Sequence, residues 1–192
     1  MIMVVTRYFL ISFILAATLS GTKAQEIKFG VKGGLNLADL GGDSGDTDFR
    51  LGIHAGGFVS IPVLTNFRVQ PEILYSQQGA QADFGSDEQK YDYLNIPVMV
   101  KFRLTKNFNL HAGPQLGILL SAKEEFRGDE EDVKDTLTST DIGVGFGLGY
   151  ETSDNVSIDV RYNLGITDIV DDTIDVFSLN NQVIQVSLGI AF

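Results

Sequence analysis

The chain ends on a stretch that alternates without a fault. Over residues 184–192, Ile184, Val186, Leu188, Ile190 and Phe192 share one parity, and Gln185, Ser187, Gly189 and Ala191 share the other. Successive side chains of a β-strand point to opposite faces, so this period of two predicts a strand with one apolar face and one polar or small face. An apolar strand closing on a terminal aromatic suits a wall that meets hydrocarbon on one side.

The other end reads as an export signal. Arg7 precedes an apolar run over residues 8–19, and Thr22 and Ala24 supply the small residues of a cleavage site before Gln25. A spanning helix needs about 20 apolar residues, more than this run contains. Residues 1–24 are therefore expected to be a signal peptide and residues 25–192 a single domain. With no cysteine, disulfides, thiolate chemistry and Cys-based metal sites are excluded together.

Alternation recurs eight times after Gln25. The apolar parities are Ile27, Phe29, Val31 and Leu35; Leu51, Ile53, Ala55, Val59 and Ile61; Phe67, Val69, Ile73 and Tyr75; then Leu94, Ile96, Val98, Val100 and Phe102. They continue with Phe108, Leu110, Ala112, Leu116, Ile118 and Leu120; Ile142, Val144, Phe146, Leu148 and Tyr150; Val156, Ile158, Val160, Tyr162 and Leu164; and the terminal strand. The links at 62–66, 103–107 and 152–155 are short, whereas 38–48, 81–89, 123–138 and 167–180 are long and polar. An even number of strands with short turns at one end and long loops at the other predicts an all-β, eight-stranded antiparallel up-and-down transmembrane β-barrel, with both termini on the periplasmic side.

A soluble ligand-carrying barrel shares the alternation, and three features separate the two. Gly143, Gly145, Gly147 and Gly149 would be a bare row in water, but inside a narrow barrel they make room for larger neighbours. Phe67, Phe102, Phe108, Tyr150 and Phe192 gather on the apolar parity at the short-turn end, as an interfacial girdle does. No charged residue stands on the apolar parity within the strands, where a cation at the lipid midplane would cost roughly 2–4 kcal/mol. Pro71, Pro97 and Pro114 lack the ladder donor, and bulges are expected there.

These strands resemble the outer-membrane β-barrel domain family of Gram-negative bacteria that includes PorT-like proteins and chains labelled "porin family". The residues that carry the resemblance are Phe29-Gly-Val-Lys-Gly-Gly-Leu-Asn36, Gln70-Pro-Glu-Ile-Leu-Tyr-Ser76 with Gly79, and Leu94-Asn-Ile-Pro97. Further matches are Ala112-Gly-Pro114, the strand from Gly143 to Tyr150, Val160-Arg-Tyr-Asn-Leu-Gly165 and the C-terminal strand. The resemblance covers essentially the whole mature chain and implies an outer-membrane location and an eight-stranded barrel. It implies no activity and no catalytic residue; PorT-like members are associated with protein secretion across the envelope.

An eight-stranded barrel is just wide enough to be filled by side chains. The polar parities place Lys32, Arg50, His54, Arg68, Glu72, Lys101, Asp159 and Arg161 inside, where they must pair or hydrogen-bond to offset desolvation. A plugged lumen is the leading expectation and a narrow passive channel for small solutes the alternative. A lipid-modifying enzyme is disfavoured, because His54 and His111 are the only imidazole bases and both lie on the lumen parity. The glycine row has period two inside a strand and is no dinucleotide fingerprint.

Charge is partitioned sharply. The four long links hold 18 acidic and 3 basic residues of the mature chain's 25 and 12. The densest run is Glu124, Glu125, Asp129, Glu130, Glu131 and Asp132. Solvated loops explain such a run by themselves; the functional expectation is that they gather divalent cations, bridging to lipopolysaccharide phosphates, or form a docking face for a cationic partner. Asp43, Asp46 and Asp48 lack the glycine and closing glutamate of a calcium loop. No nucleic-acid partner is expected for so acidic a chain, and no resident metal or cofactor is expected. The expected partners are outer-membrane lipid, lipopolysaccharide, an envelope protein and the barrel-assembly machinery, the last through the terminal strand with Phe192 as its signal. The resulting expectation is a non-enzymatic, monomeric outer-membrane barrel with an envelope structural or interaction role, meeting its partner through the acidic extracellular loops or through its periplasmic face.

Overall fold

The computed structural model describes residues 26–42, 47–82, 88–126, 129–152, 155–168 and 179–192. The expected signal peptide, its cleavage before Gln25, and Asp43 and Asp46 lie outside the described residues. The strands are β1 Lys28–Gly42, β2 Thr47–Leu64, β3 Phe67–Ala82, β4 Glu88–Arg103, β5 Phe108–Phe126, β6 Asp129–Asp132, β7 Thr140–Glu151, β8 Val156–Gly165 and β9 Leu179–Ala191. Eight of them form a closed ring of antiparallel neighbours. The chain meander is sealed by the pairing of β1 with β9, and β5 passes directly to β7. Closure leaves the ring no edge strand, as a sheet that spans hydrocarbon requires.

The apolar parity faces outward throughout: Phe29, Val31, Leu35, Ile53, Ile73, Val100, Leu148, Val160 and Leu188 are all exposed. At the short-turn end the girdle residues meet in pairs. Phe67 and Phe102 lie 4.9 Å apart by ring centroid and Phe108 and Tyr150 lie 5.0 Å apart, while Phe192 is 75% exposed.

The wall is taller than the membrane requires. A crossing takes about 9–11 residues, but β2 has 18 and β5 has 19. Much of what reads as long loop at 38–48, 81–89 and 123–138 is therefore strand. Above the lipid the outer face meets water and the apolar side chains turn inward, so the apolar-outside parity that marks the strands lower down is lost there, although the hydrogen-bond ladder continues.

The 123–138 segment departs furthest from expectation. β6 turns back on β5 to form a hairpin, pairing Lys123 with Asp132 through Phe126 with Asp129, and a single 3₁₀ turn follows at Lys134–Thr136.

The bulges expected at Pro71, Pro97 and Pro114 are not found. Register runs unbroken past Pro71, Pro97 and Pro114, and each is paired with the strand that follows it: Pro71 with Val98, Pro97 with Gln115, Pro114 with Val144. In an antiparallel sheet a residue directs its N–H and C=O to one neighbour only. Each proline turns that side to the preceding strand, where pairing lapses, and no extra residue is needed. The shifts fall elsewhere, at 49–54 against β3, at Pro62 to Leu64, and between Asp92 and Tyr93. The last of these moves Ser121, expected inside, to a half-exposed place and buries Ala122 instead.

Candidate functional site

The lumen is built in layers, and the glycine row sets the space for them. A Cβ at Gly145 would stand 2.5 Å from Asn163 Oδ1. One at Gly147 would be 2.8 Å from His111 Nε2, and one at Gly149 2.6 Å from Asp159 Oδ1. Bare backbone on β7 thus admits the large polar side chains of β5 and β8.

At mid-height Glu72 is the hub. Arg161 donates to it through both terminal nitrogens, at 3.0 and 2.8 Å, Gln70 Nε2 donates at 2.8 Å, and Lys32 Nζ lies 3.5 Å away. Glu72 and Arg161 are each 1% exposed. A bidentate guanidinium–carboxylate pair with a further amide donor satisfies most of the carboxylate's acceptor sites, the condition under which a buried charge is tolerated.

Beside it runs a neutral line. His54 Nδ1 lies 2.7 Å from Asn36 Oδ1, and His54 Nε2 lies 2.8 Å from Ser187 Oγ. Asn36 Nδ2 is occupied as a donor to Ser76 Oγ and Gln77 O, so Asn36 Oδ1 accepts, His54 carries its proton on Nδ1 and Nε2 accepts from Ser187. This is the hydrogen-bond order of a base-activated serine. All three residues are 3% exposed or less.

Toward the short-turn end Lys101 Nζ pairs with Asp159 at 3.3 Å and Glu151 at 3.6 Å, and Arg68 reaches Glu151 at 3.7 Å. Below them the barrel opens into a vestibule of about 280 Å³. Toward the exterior an apolar layer crosses the lumen instead: Leu40, Ala80, Tyr91, Tyr93, Leu119 and Ala122 are buried together, with Val133 and Leu137 from the 3₁₀ segment packed on top.

Of the expected interior set, Lys32, Glu72 and Arg161 meet in one cluster and Lys101, Asp159 and Arg68 in a second, lower one. His54 joins the neutral line. Arg50 stands apart near the outer mouth, donating to Glu88 at 2.9 Å and to the Gln78 carbonyl at 2.8 Å. Glu151 and Gln70 lie on the lumen parity, and that parity was the signal for them. The tyrosine layer carries no such signal, because aromatics on a polar parity read as exceptions.

The acidic run is partly self-paired. Glu130 meets Lys123 at 3.0 Å and Lys90 at 3.3 Å, Glu125 meets Lys90 at 2.6 Å, and Glu124 accepts from Tyr91 Oη at 3.2 Å. The hydrogen bonds from Lys123 and Lys90 hold the exposed Glu130 carboxyl below its ordinary range. Asp129, Glu131 and Asp132 are exposed. Among the described residues no three acidic or imidazole side chains converge as a metal site requires.

A closed eight-strand wall, apolar outside and polar within, with an aromatic girdle at its short-turn rim, defines a small membrane-spanning β-barrel. The chain belongs to the outer membrane protein beta-barrel domain family, whose model matches residues 23–171, and this locates it in the outer membrane. Among solved structures it is similar to Ail, the attachment invasion locus protein of Yersinia pestis, at 17% identity over 88% of this chain and 100% of that one, TM-score 0.57. It is also similar to Neisserial surface protein A, at 13% identity over 86% and 97%, TM-score 0.57. Ail in complex with the heparin analogue sucrose octasulfate matches at 17% identity over 88% and 100%, TM-score 0.56. At such identities the likeness speaks for the fold. No curated protein matches the chain.

Proposed function

We propose that the protein is a non-enzymatic, monomeric envelope component: a sealed barrel that displays an acidic external rim to a cationic partner or to divalent cations bridging lipopolysaccharide. The observation that carries this reading is the double closure of the lumen, by the Tyr91–Tyr93 apolar layer above and the Arg161–Glu72–Lys32 cluster below it. A water path would have to breach both. The acids left unpaired on β6 face outward, where field lines from a rim of one sign attract the opposite charge. Sucrose octasulfate is a ligand of Ail, but a polyanion of that kind would be repelled by this rim. A secretion role of the PorT-like kind is one form the interaction could take, and the terminal strand with Phe192 is the proposed contact for the assembly machinery.

Conductance of the mature protein in a planar bilayer tests the reading. A silent bilayer, with folding verified by heat-shifted gel mobility, supports a sealed scaffold. Steady ohmic steps would overturn it in favour of a narrow channel.

A further inference from the structure

The vestibule at the periplasmic mouth is as one-sided in charge as the external rim, and of the opposite sign. Lys28, Arg68, Lys101, Arg103 and Lys106 line it, against the single carboxylate of Glu151. Asp159 neutralises part of Lys101 from above, at 3.3 Å. Asp154, in the adjoining turn, lies outside the described residues, and with both aspartates counted the cations remain in excess. The layer above adds to the imbalance, since Lys32 and Arg161 share one glutamate.

Existing partners leave donors free. Arg68 and Lys101 divide Glu151 between them at 3.7 and 3.6 Å, both longer than a charge-assisted hydrogen bond. Arg68 Nε is buried and has no hydrogen-bond partner among the described residues. Arg103 and Lys106 are exposed on the rim with no carboxylate within ion-pair distance among the described residues. A buried or half-buried cation without its counter-charge is costly, and a guanidinium presents a planar fork matched to oxyanions.

We infer that this vestibule is a binding site for a phosphate-type oxyanion, held by Arg68 and Lys101 at its floor and by Arg103 and Lys106 at its rim. A volume of about 280 Å³ accepts such a group with part of the molecule that bears it. The opening lies at the level of the aromatic girdle, so the group can arrive as a free periplasmic phosphate or as the headgroup of an inner-leaflet lipid.

The test uses the mature barrel refolded in zwitterionic micelles and inorganic phosphate as probe. Expected are saturable binding by calorimetry and a phosphate-dependent shift of the Arg68 Nε–H resonance. The rim variant Arg103→Gln/Lys106→Gln, which alters exposed side chains only, should bind at least tenfold more weakly while keeping its heat-shifted mobility. A parallel arm places the barrel in nanodiscs of phosphatidylcholine with or without phosphatidylglycerol. Loss of phosphate binding only with phosphatidylglycerol assigns the site to the lipid headgroup, and unchanged binding assigns it to the soluble anion. Equal affinity in the rim variant, or no response of Arg68 in micelles or in either nanodisc, would overturn the inference.

Discussion

Arg161 on β8 and Glu72 on β3, 89 positions apart in the chain, face each other across the lumen through two parallel hydrogen bonds of 3.0 and 2.8 Å. Their strands are not neighbours, so the pair ties opposite walls. Removing one partner leaves the other's charge buried, and such losses cost about 3–5 kcal/mol. Arg161→Ala should therefore lower stability by about that amount in urea unfolding from lipid vesicles, with Lys32 as the residual partner keeping it near the lower end. Arg161→Met with Glu72→Leu and Lys32→Met, which removes all three charges of the cluster, should recover most of the loss. A triple variant no better than the single one would show that the cluster does not act as a unit.

The glycine row makes a sharper steric prediction. A Cβ at Gly147 would sit 2.2 Å from the Val160 carbonyl oxygen, which belongs to the wall and cannot turn aside. At Gly33, on the lipid face, the nearest atom is 3.4 Å away. Overpacking costs about 1–3 kcal/mol, so Gly147→Ala should lose that much, while Gly33→Ala stays within about 0.5 kcal/mol as surface changes do. Equal losses at the two positions would contradict the inward placement of the row.

Parity made the wall legible in the sequence. Period two assigns each side chain in the lipid zone to one face, and it placed Lys32, Glu72, Lys101, Asp159 and Arg161 inside. Which of them meet was not legible: the contact of Glu72 with Arg161 depends on registers summed around the ring, and a one-residue shift would break it. The bulge at Asp92 and Tyr93 illustrates the limit, since it exchanges Ser121 for Ala122 inside with no glycine or proline to announce it. The Tyr91–Tyr93 layer was hidden for another reason. Above the lipid the inner face becomes the apolar one, and a reading tuned to apolar outside passes over it.

Acid should loosen the outer hairpin before the barrel. The Glu130 carboxyl is held below its ordinary range in the folded hairpin by Lys123 and Lys90, so its contribution is full above the unfolded value of about 4.3 and is lost as pH falls through the lower folded one. Protection along Asp129–Asp132, the exchange rate relative to its intrinsic value at each pH, should fall below about pH 4, with the protection of the β7–β9 amides unchanged. In Glu130→Gln that loss of protection should be reduced. A hairpin equally protected at pH 7 and pH 3 would remove the ion pairs from its stability.

The three prolines draw a diagonal across neighbouring strands. Pairing lapses between β2 and β3 beside Pro71, between β3 and β4 beside Pro97, and between β4 and β5 beside Pro114. Pro97→Ala would restore a donor toward the Glu72 carbonyl, opposite it in register. A net hydrogen bond is worth about 0.5–1.5 kcal/mol, whereas freeing the unfolded chain from proline costs about 0.4–1 kcal/mol. The two nearly cancel, so the unfolding midpoint should barely move. Exchange reads the change instead: the new amide at position 97 should be as protected as its strand neighbours if the seam is caused by the missing donor. An unprotected amide there would show that the wall is splayed at this level independently of proline, and that Glu72 sits beside a gap the strands themselves create.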